Sequence, residues 1–158
     1  MTQVTQNFSL RELTRSETAR RMGVENIPTE KEMQNIRKTA EKLEEIREYV
    51  GRGIIVTSCF RSERVNKLVG GSPTSAHRFG SAADCDAIGM TSFAFAKKLI
   101  EMRDAGKLVF DQLILEFPER GDGAWVHIGF RHNGVQRNQV MTSVKRGGKT
   151  VYLQGLVP

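Results

Sequence analysis

Two apolar runs decide how this chain folds: Phe110-Asp111-Gln112-Leu113-Ile114-Leu115-Glu116-Phe117 and, after a loop from Pro118 to Ala124, Trp125-Val126-His127-Ile128-Gly129-Phe130. Both are short and bounded by turn residues, so they predict adjacent antiparallel strands. Setting Leu113 opposite Phe130, Leu115 opposite Ile128 and Phe117 opposite Val126 makes one face of the pair wholly apolar. The other face then sets Glu116 against His127 and also carries Gln112 and Trp125. A slip of one residue would mix polar and apolar side chains on every rung. A slip of two would keep the faces and leave Glu116 diagonal to His127. Glu116 and His127 are therefore expected within one rung of each other on the face away from the core.

Upstream of this pair the chain reads as helices and isolated strands. Ser9-Leu10-Arg11-Glu12 has the pattern of a capping box and opens a short helix that fades near Met22-Gly23. A second box, Thr29 to Glu32, opens the strongest helix. There Met33, Ile36, Ala40, Leu43, Ile46 and Val50 recur at three- and four-residue steps, and Gly51 follows as a C-cap. Ile54-Ile55-Val56-Thr57 predicts a strand, Arg61 to Leu68 a short helix, and Gly70-Gly71-Ser72-Pro73 a turn. Ala82 to Ile88 is apolar apart from Asp84 and Asp86. Thr91 or Ser92 caps a further helix through Met102, closed by Gly106. Thr150-Val151-Tyr152-Leu153 offers an edge strand in the tail, residues 131–158. Helices first and adjacent strands late predict a single α+β domain over residues 1–158, with its core at about 8–130 and helices over a mostly antiparallel sheet.

With 158 residues, 39% hydrophobic and 27% charged, the chain has an ordinary globular composition, and a monomer is expected. No stretch approaches the ~20 apolar residues of a membrane span. Met1 to Ser9 lacks the apolar run of a secretory signal, so synthesis in a cytoplasm without a signal peptide is expected. The net charge of +6 favours anionic partners, including the polymers of a bacterial wall. The basic residues are dispersed and aromatics few, so no nucleic-acid platform appears and none is expected as a partner. The only cysteines, Cys59 and Cys85, sit in apolar company and read as small buried hydrophobes.

The chemistry-bearing segment is Ser75-Ala76-His77-Arg78-Phe79-Gly80-Ser81-Ala82-Ala83-Asp84, which fits S-x-H-x-x-G-x-A-x-D. His77 would leave the Gly/Pro turn on a loop, Gly80 would let the backbone fold close, and Asp84 would sit on the next strand. Of the three histidines, His127 on the hairpin is the natural third donor, and His132, beside Asn133-Gly134, is left to structure. Two imidazoles and one carboxylate leave a fourth tetrahedral position for water, the mark of a catalytic zinc site. Asp86 competes with Asp84 by strand alternation, and the motif spacing favours Asp84.

These residues, with Val56-Thr57-Ser58-Cys59-Phe60-Arg61-Ser62, Val65-Asn66, Val69-Gly70-Gly71, Phe110 to Glu116 and Trp125-Val126-His127, resemble the zinc D-alanyl-D-alanine carboxypeptidases. That family includes vancomycin-resistance D,D-dipeptidases and phage L-alanyl-D-glutamate endolysins, and the similarity runs from about Phe8 to Phe130, closest to the short phage-type members. The resemblance implies one zinc ion on His77, Asp84 and His127, with Arg61 holding the substrate or steadying the transition state. It implies a fold shared with the hedgehog signalling domain and the peptidoglycan stem peptide as substrate. Action on the cell wall would follow release during lysis or delivery within a virion. Many relatives carry the general base three residues before the last histidine, where this chain has Ala124. The hairpin favours Glu116 as the replacement, with Asp122 in the Gly121–Gly123 loop as the weaker candidate. Ser75, Gln112 and Trp125 are candidates to touch substrate, although Ser75 and Asn66 could equally shape the loop. A wall-binding module that keeps the zinc site without hydrolysis is the alternative; a DNA-associated protein rests on charge alone.

Overall fold

Five hydroxyl caps set the helix starts. Ser9, Ser16, Thr29, Ser62 and Thr91 each accept a backbone N–H three residues on, opening α1 (Leu10–Thr14), α2 (Glu17–Met22), α3 (Glu30–Val50), α4 (Glu63–Leu68) and α5 (Ser92–Asp104). Each such cap is worth about 1 kcal/mol. The single helix expected from Ser9 to Met22 is two helices: Arg15 is extended and Ser16 caps a new start. The helix expected from Arg61 begins later, at Glu63, because Ser62 is its cap. Thr29 and Glu32 form the full reciprocal box, and Gly51 ends α3 in the left-handed conformation. The computed structural model describes residues 2–158.

Six strands form one sheet: β1 (Ile54–Ser58), β2 (Ala82–Ala87), β3 (Gln112–Glu116), β4 (Trp125–Gly129), β5 (Gln139–Arg146) and β6 (Lys149–Gln154), in the order β1-β2-β4-β3-β5-β6. All neighbours are antiparallel except β3 and β5, so the domain is α+β with a mostly antiparallel sheet. Helix α5 packs on β2, β3 and β4, and α3 on β2 and α5. Between them lies a core that includes Leu43, Phe95, Leu99, Leu113, Leu115, Val126 and Ile128. Cys59 and Cys85 are unpaired and fully buried in it, and burial pushes the Cys59 thiol up to about 12. No helix among the described residues is long and apolar enough to cross a membrane.

The β3–β4 hairpin keeps the expected faces and shifts the register by two residues. Leu113 pairs with Ile128, Leu115 with Val126 and Glu116 with Trp125, so Ile114 rather than Glu116 faces His127. The cause is Phe117, which has φ 54° and leaves the strand instead of pairing with Val126. Its amide turns to Ser143 O at 2.9 Å, and Pro118 starts a 3-10 segment that lengthens the connection. A left-handed non-glycine conformation costs about 1–2 kcal/mol. Packing against Trp125 and the Arg120 guanidinium, 4.0 Å from its ring, offsets that cost.

The expected edge strand is present as β6, but β5 was not foreseen. Residues 130–138 carry the chain from β4 across to β5, and Asp111 clamps this crossing. Its carboxylate accepts from Arg137 N, Nε and Nη2 at 3.1, 3.0 and 2.9 Å, and lies 3.2 Å from Arg131 Nε.

Two expectations follow. Gly80 has φ +76°, and a Cβ there would stand 2.6 Å from Ile36 Cγ1, so Gly80→Ala should cost about 2 kcal/mol or more in chemical denaturation. An unaltered midpoint would show that this approach is not tight. The second concerns acid. The Arg137 hydrogen bonds and charge hold the Asp111 carboxyl below its ordinary value despite burial. As pH falls the unfolded chain takes up this proton first, so the clamp contributes fully at neutral pH and is lost as pH drops through the lower folded value. Asp111→Asn should therefore flatten the fall of Tm as pH drops below about 4, and an unchanged slope would argue against the clamp.

Candidate metal centre

The antiparallel β2–β4 ladder sets Asp84 directly opposite His127. Alternation sends both side chains to the face away from the core, because Cys85, Val126 and Ile128 on either side are fully buried. His77 arrives from outside the sheet, on a 3-10 turn, Ala76–Phe79, closed by left-handed Gly80. The turn is fastened to α3: Thr39 Oγ1 donates to Gly80 O at 2.8 Å, Asn35 Nδ2 to Phe79 O at 3.0 Å, and Arg78 pairs with Glu32.

The three side chains converge on one point. His77 Nε2 and His127 Nδ1 lie 3.2 and 3.1 Å from the same oxygen, Asp84 Oδ1, and one donor atom from each residue falls within 4.8 Å of the others. His77 Nδ1 is 2.7 Å from Cys59 O. A carbonyl only accepts, so Nδ1 carries the proton and Nε2 is the free lone pair when the ring is neutral. A lone pair aimed at a carboxylate oxygen needs a proton or a cation between them. A single divalent ion satisfies all three donors at once, and a histidine whose other nitrogen is fixed by a backbone carbonyl is the usual metal-binding arrangement. Burial opposes the charge on Asp84, but when the rings are protonated the charge of His77 and the hydrogen bonds from both rings hold its carboxyl well below the ordinary range. Gly129 and Ala82, paired across the ladder, keep the space open: a Cβ on Gly129 would stand 3.3 Å from His127 Nε2.

The cluster lies in an open cleft of about 1050 Å³ that also receives Arg61, Ser75, Gln112, Glu116 and Trp125. Arg61 is positioned through its own amide, which donates to His77 O at 2.9 Å, and through Nη2, which donates to Ser75 Oγ at 3.2 Å. Its Nε is buried without a hydrogen-bond partner among the described residues. Burial lowers the Arg61 pKa while the charge of Asp84 opposes the shift. Asn66 shapes the loop beneath: its Nδ2 donates to Ser72 O at 2.9 Å, and its Oδ1 occupies the place a Cβ on Gly71 would need. Gln112 Nε2 donates to Gln139 Oε1, and Trp125 Nε1 is buried without a partner among the described residues.

The two candidate bases part company. Glu116 lines the cleft and accepts a hydrogen bond from Ser143 Oγ at 2.7 Å. Burial raises its pKa, with the Ser143 bond and the His127 charge opposing. Asp122 is exposed in the 3-10 segment Pro118–Gly123 and does not line the cleft, while Ala124 is buried. Asp86 is occupied elsewhere, accepting from Ser92 Oγ at 2.6 Å. His132 stacks on Phe130, contacts Thr39 Oγ1 at 3.0 Å and forms part of the cleft wall; burial, with Lys38 and Lys42, pushes its pKa down to about 4. Sequence reasoning missed Tyr152, Arg131 and Arg137 along the cleft, and Ser143 beside Glu116. Only the β-branched character of residues 139–144 could have hinted at the strand that carries Ser143.

A model of the Peptidase M15 family matches residues 6–114, a span that holds Arg61, Ser75, His77 and Asp84 and ends within β3. No curated protein matches the chain. The match covers well over half of the sequence, and the chain accordingly belongs to the Peptidase M15 family, the zinc D-alanyl-D-alanine carboxypeptidases.

Proposed function

We propose that this chain is a zinc peptidase that hydrolyses an amide bond in the stem peptides of peptidoglycan. His77 Nε2, Asp84 and His127 Nδ1 are the ligands, Glu116 is the general base, and Arg61 grips the substrate. The observation that carries this reading is the convergence of two imidazole nitrogens on one carboxylate oxygen in an open cleft. Family membership adds the substrate class as an inference.

When bound, zinc supplies Lewis acidity, lowering the pKa of a water toward about 7 and polarising the scissile carbonyl. The chain's own residues do the rest. Glu116 takes a proton from the attacking water and returns it to the leaving amine. Its partly buried site raises its proton affinity, which suits a group that must first accept and then donate. Arg61, braced by Ser75 and with Nε unpartnered, presents a fixed fork to a substrate carboxylate or to the developing oxyanion. Trp125 and Gln112 form walls on either side of the His127 rung. The charge of +6 suits an anionic wall as the place of action, reached during host lysis or from a virion.

One observation favours a second reading, a wall-binding module that keeps the ion without hydrolysis: Ala124, at the position where many relatives hold the base, is buried and can transfer no proton. Experiment separates the two. Mass spectrometry of muropeptides after incubation with the zinc-loaded protein should show one amide bond cleaved, and a chelator should abolish the products. Intact muropeptides alongside stoichiometric zinc would establish the binding module instead. His77→Ala and His127→Ala should each lose bound zinc and all cleavage. Glu116→Gln should keep its zinc and lose at least about 100-fold in kcat, whereas Asp122→Asn should cleave like the parent. The reverse pattern would move the base to Asp122.

A further inference from the structure

Strand β5 sends one side chain to the group on which hydrolysis depends. Ser143 pairs with Glu116 in the parallel β3–β5 ladder and with Tyr152 in the β5–β6 hairpin. A single rung therefore runs Trp125, Glu116, Ser143, Tyr152 across four strands, and three of these four residues line the cleft. Ser143 itself is fully buried.

Ser143 makes two bonds at the point where β3 leaves the sheet. Its carbonyl accepts from Phe117 N at 2.9 Å, and its Oγ donates to Glu116 Oε1 at 2.7 Å. The first fixes the backbone just beyond Glu116, where φ turns positive. The second fixes the carboxylate, and a hydroxyl bonded to a charged acceptor is among the stronger neutral-to-ion contacts. A glutamate has three side-chain torsions, and reach alone would leave this one several orientations within the cleft. The bond to a buried hydroxyl on a neighbouring strand removes that freedom. Residues 115–158 lie beyond the family match, so Glu116 and the strand that holds it both come from the part of the chain outside the matched span.

We propose that Ser143 is a positioning residue for Glu116: it holds Oε1, leaves Oε2 for the proton, and so makes the β5–β6 hairpin part of the catalytic apparatus. The proposal rests on Glu116 being the base, and its test is arranged to separate the two ideas. Ser143→Ala, Glu116→Gln and the double variant are compared as zinc-loaded proteins on a soluble muropeptide that the parent cleaves. Zinc content and Tm are measured on each.

Ser143→Ala should lower kcat by about tenfold with KM within about twofold, because a misaimed base costs turnover and not binding. Its zinc content should match the parent. In the Glu116→Gln background the same change should have no further effect, since a residue acting only through another is silent once that other is gone. Parent-like kcat in Ser143→Ala beside a crippled Glu116→Gln would overturn the positioning role and leave the base assignment standing. Equal losses in both backgrounds, or a loss of zinc, would overturn it as well by making Ser143 merely structural. Full activity in Glu116→Gln would remove the base assignment and this proposal with it. Should Ser143→Ala not fold, Ser143→Cys replaces the hydroxyl by a much weaker donor, and a smaller loss of kcat that again vanishes in the Glu116→Gln background is then expected, while parent-like kcat overturns the proposal.

Discussion

The site depends first on a cross-strand pair: Asp84 on β2 faces His127 on β4. Nothing local holds these two residues together, since 43 positions separate them. What holds them is the other face of the sheet. Ala83, Cys85, Val126 and Ile128 are fully buried beneath the helices, and a slip of one residue in either strand would exchange that apolar set for the polar one. The hydrophobic core therefore enforces the geometry of the donors without touching them. Two small residues complete the arrangement, for Ala82 and Gly129 pair beside the cluster and leave room where larger side chains would fill it.

His77 poses the opposite problem, because it comes from a turn and not from the sheet. Turns are the mobile parts of most folds, yet a donor must be held within a fraction of an ångström to act. Here the turn is tied to the rigid surface of α3 at three points, through Asn35, Thr39 and Glu32. Gly80 makes the approach close enough for those ties, and the Cys59 carbonyl sets the tautomer and direction of the ring. The Arg61 amide donates to the carbonyl of His77 itself, so the residue proposed to grip substrate and the donor turn share one hydrogen-bonded frame. Arg61 and His77 are thus coupled in position before any ligand arrives.

These different origins explain what the sequence discloses. Helix caps, the Gly51 stop and the spacing from His77 to Asp84 are local, and local chemistry is legible in a linear string. The faces of β3 and β4 were legible too, because alternation leaves only one arrangement that buries every leucine. The register was not. It turns on the conformation of Phe117, and a positive φ at a phenylalanine is decided by what surrounds it: Pro118 next in sequence, the Ser143 carbonyl, and the rings and guanidinium that pack on it. Strand β5 was hidden for a related reason. It pairs in parallel with β3 after a crossing fixed by Asp111 and two arginines, so no tight turn announces it. The N-terminal helix divides at Ser16, where Arg15 turns extended and the Ser16 hydroxyl caps a new start.

The two-residue shift in the hairpin also changes what a base on β3 would experience. Directly opposite His127, a glutamate would be drawn toward the imidazole as a partner. On the observed register Ile114 takes that place, and Glu116 stands one rung further out, diagonal to His127 and bonded to Ser143 instead. The carboxylate is therefore kept near the donors while its committed hydrogen bond runs away from them, to a neutral hydroxyl that does not cancel its charge. A base carried on a loop three residues before the histidine would have its aim set by that loop. One carried on β3 has its aim set by the sheet, through a bond that requires β5. With Glu116 as the proposed base, the loop from Pro118 to Gly123 would carry no chemical duty; Asp122 stands exposed on it and Ala124 is buried at its end.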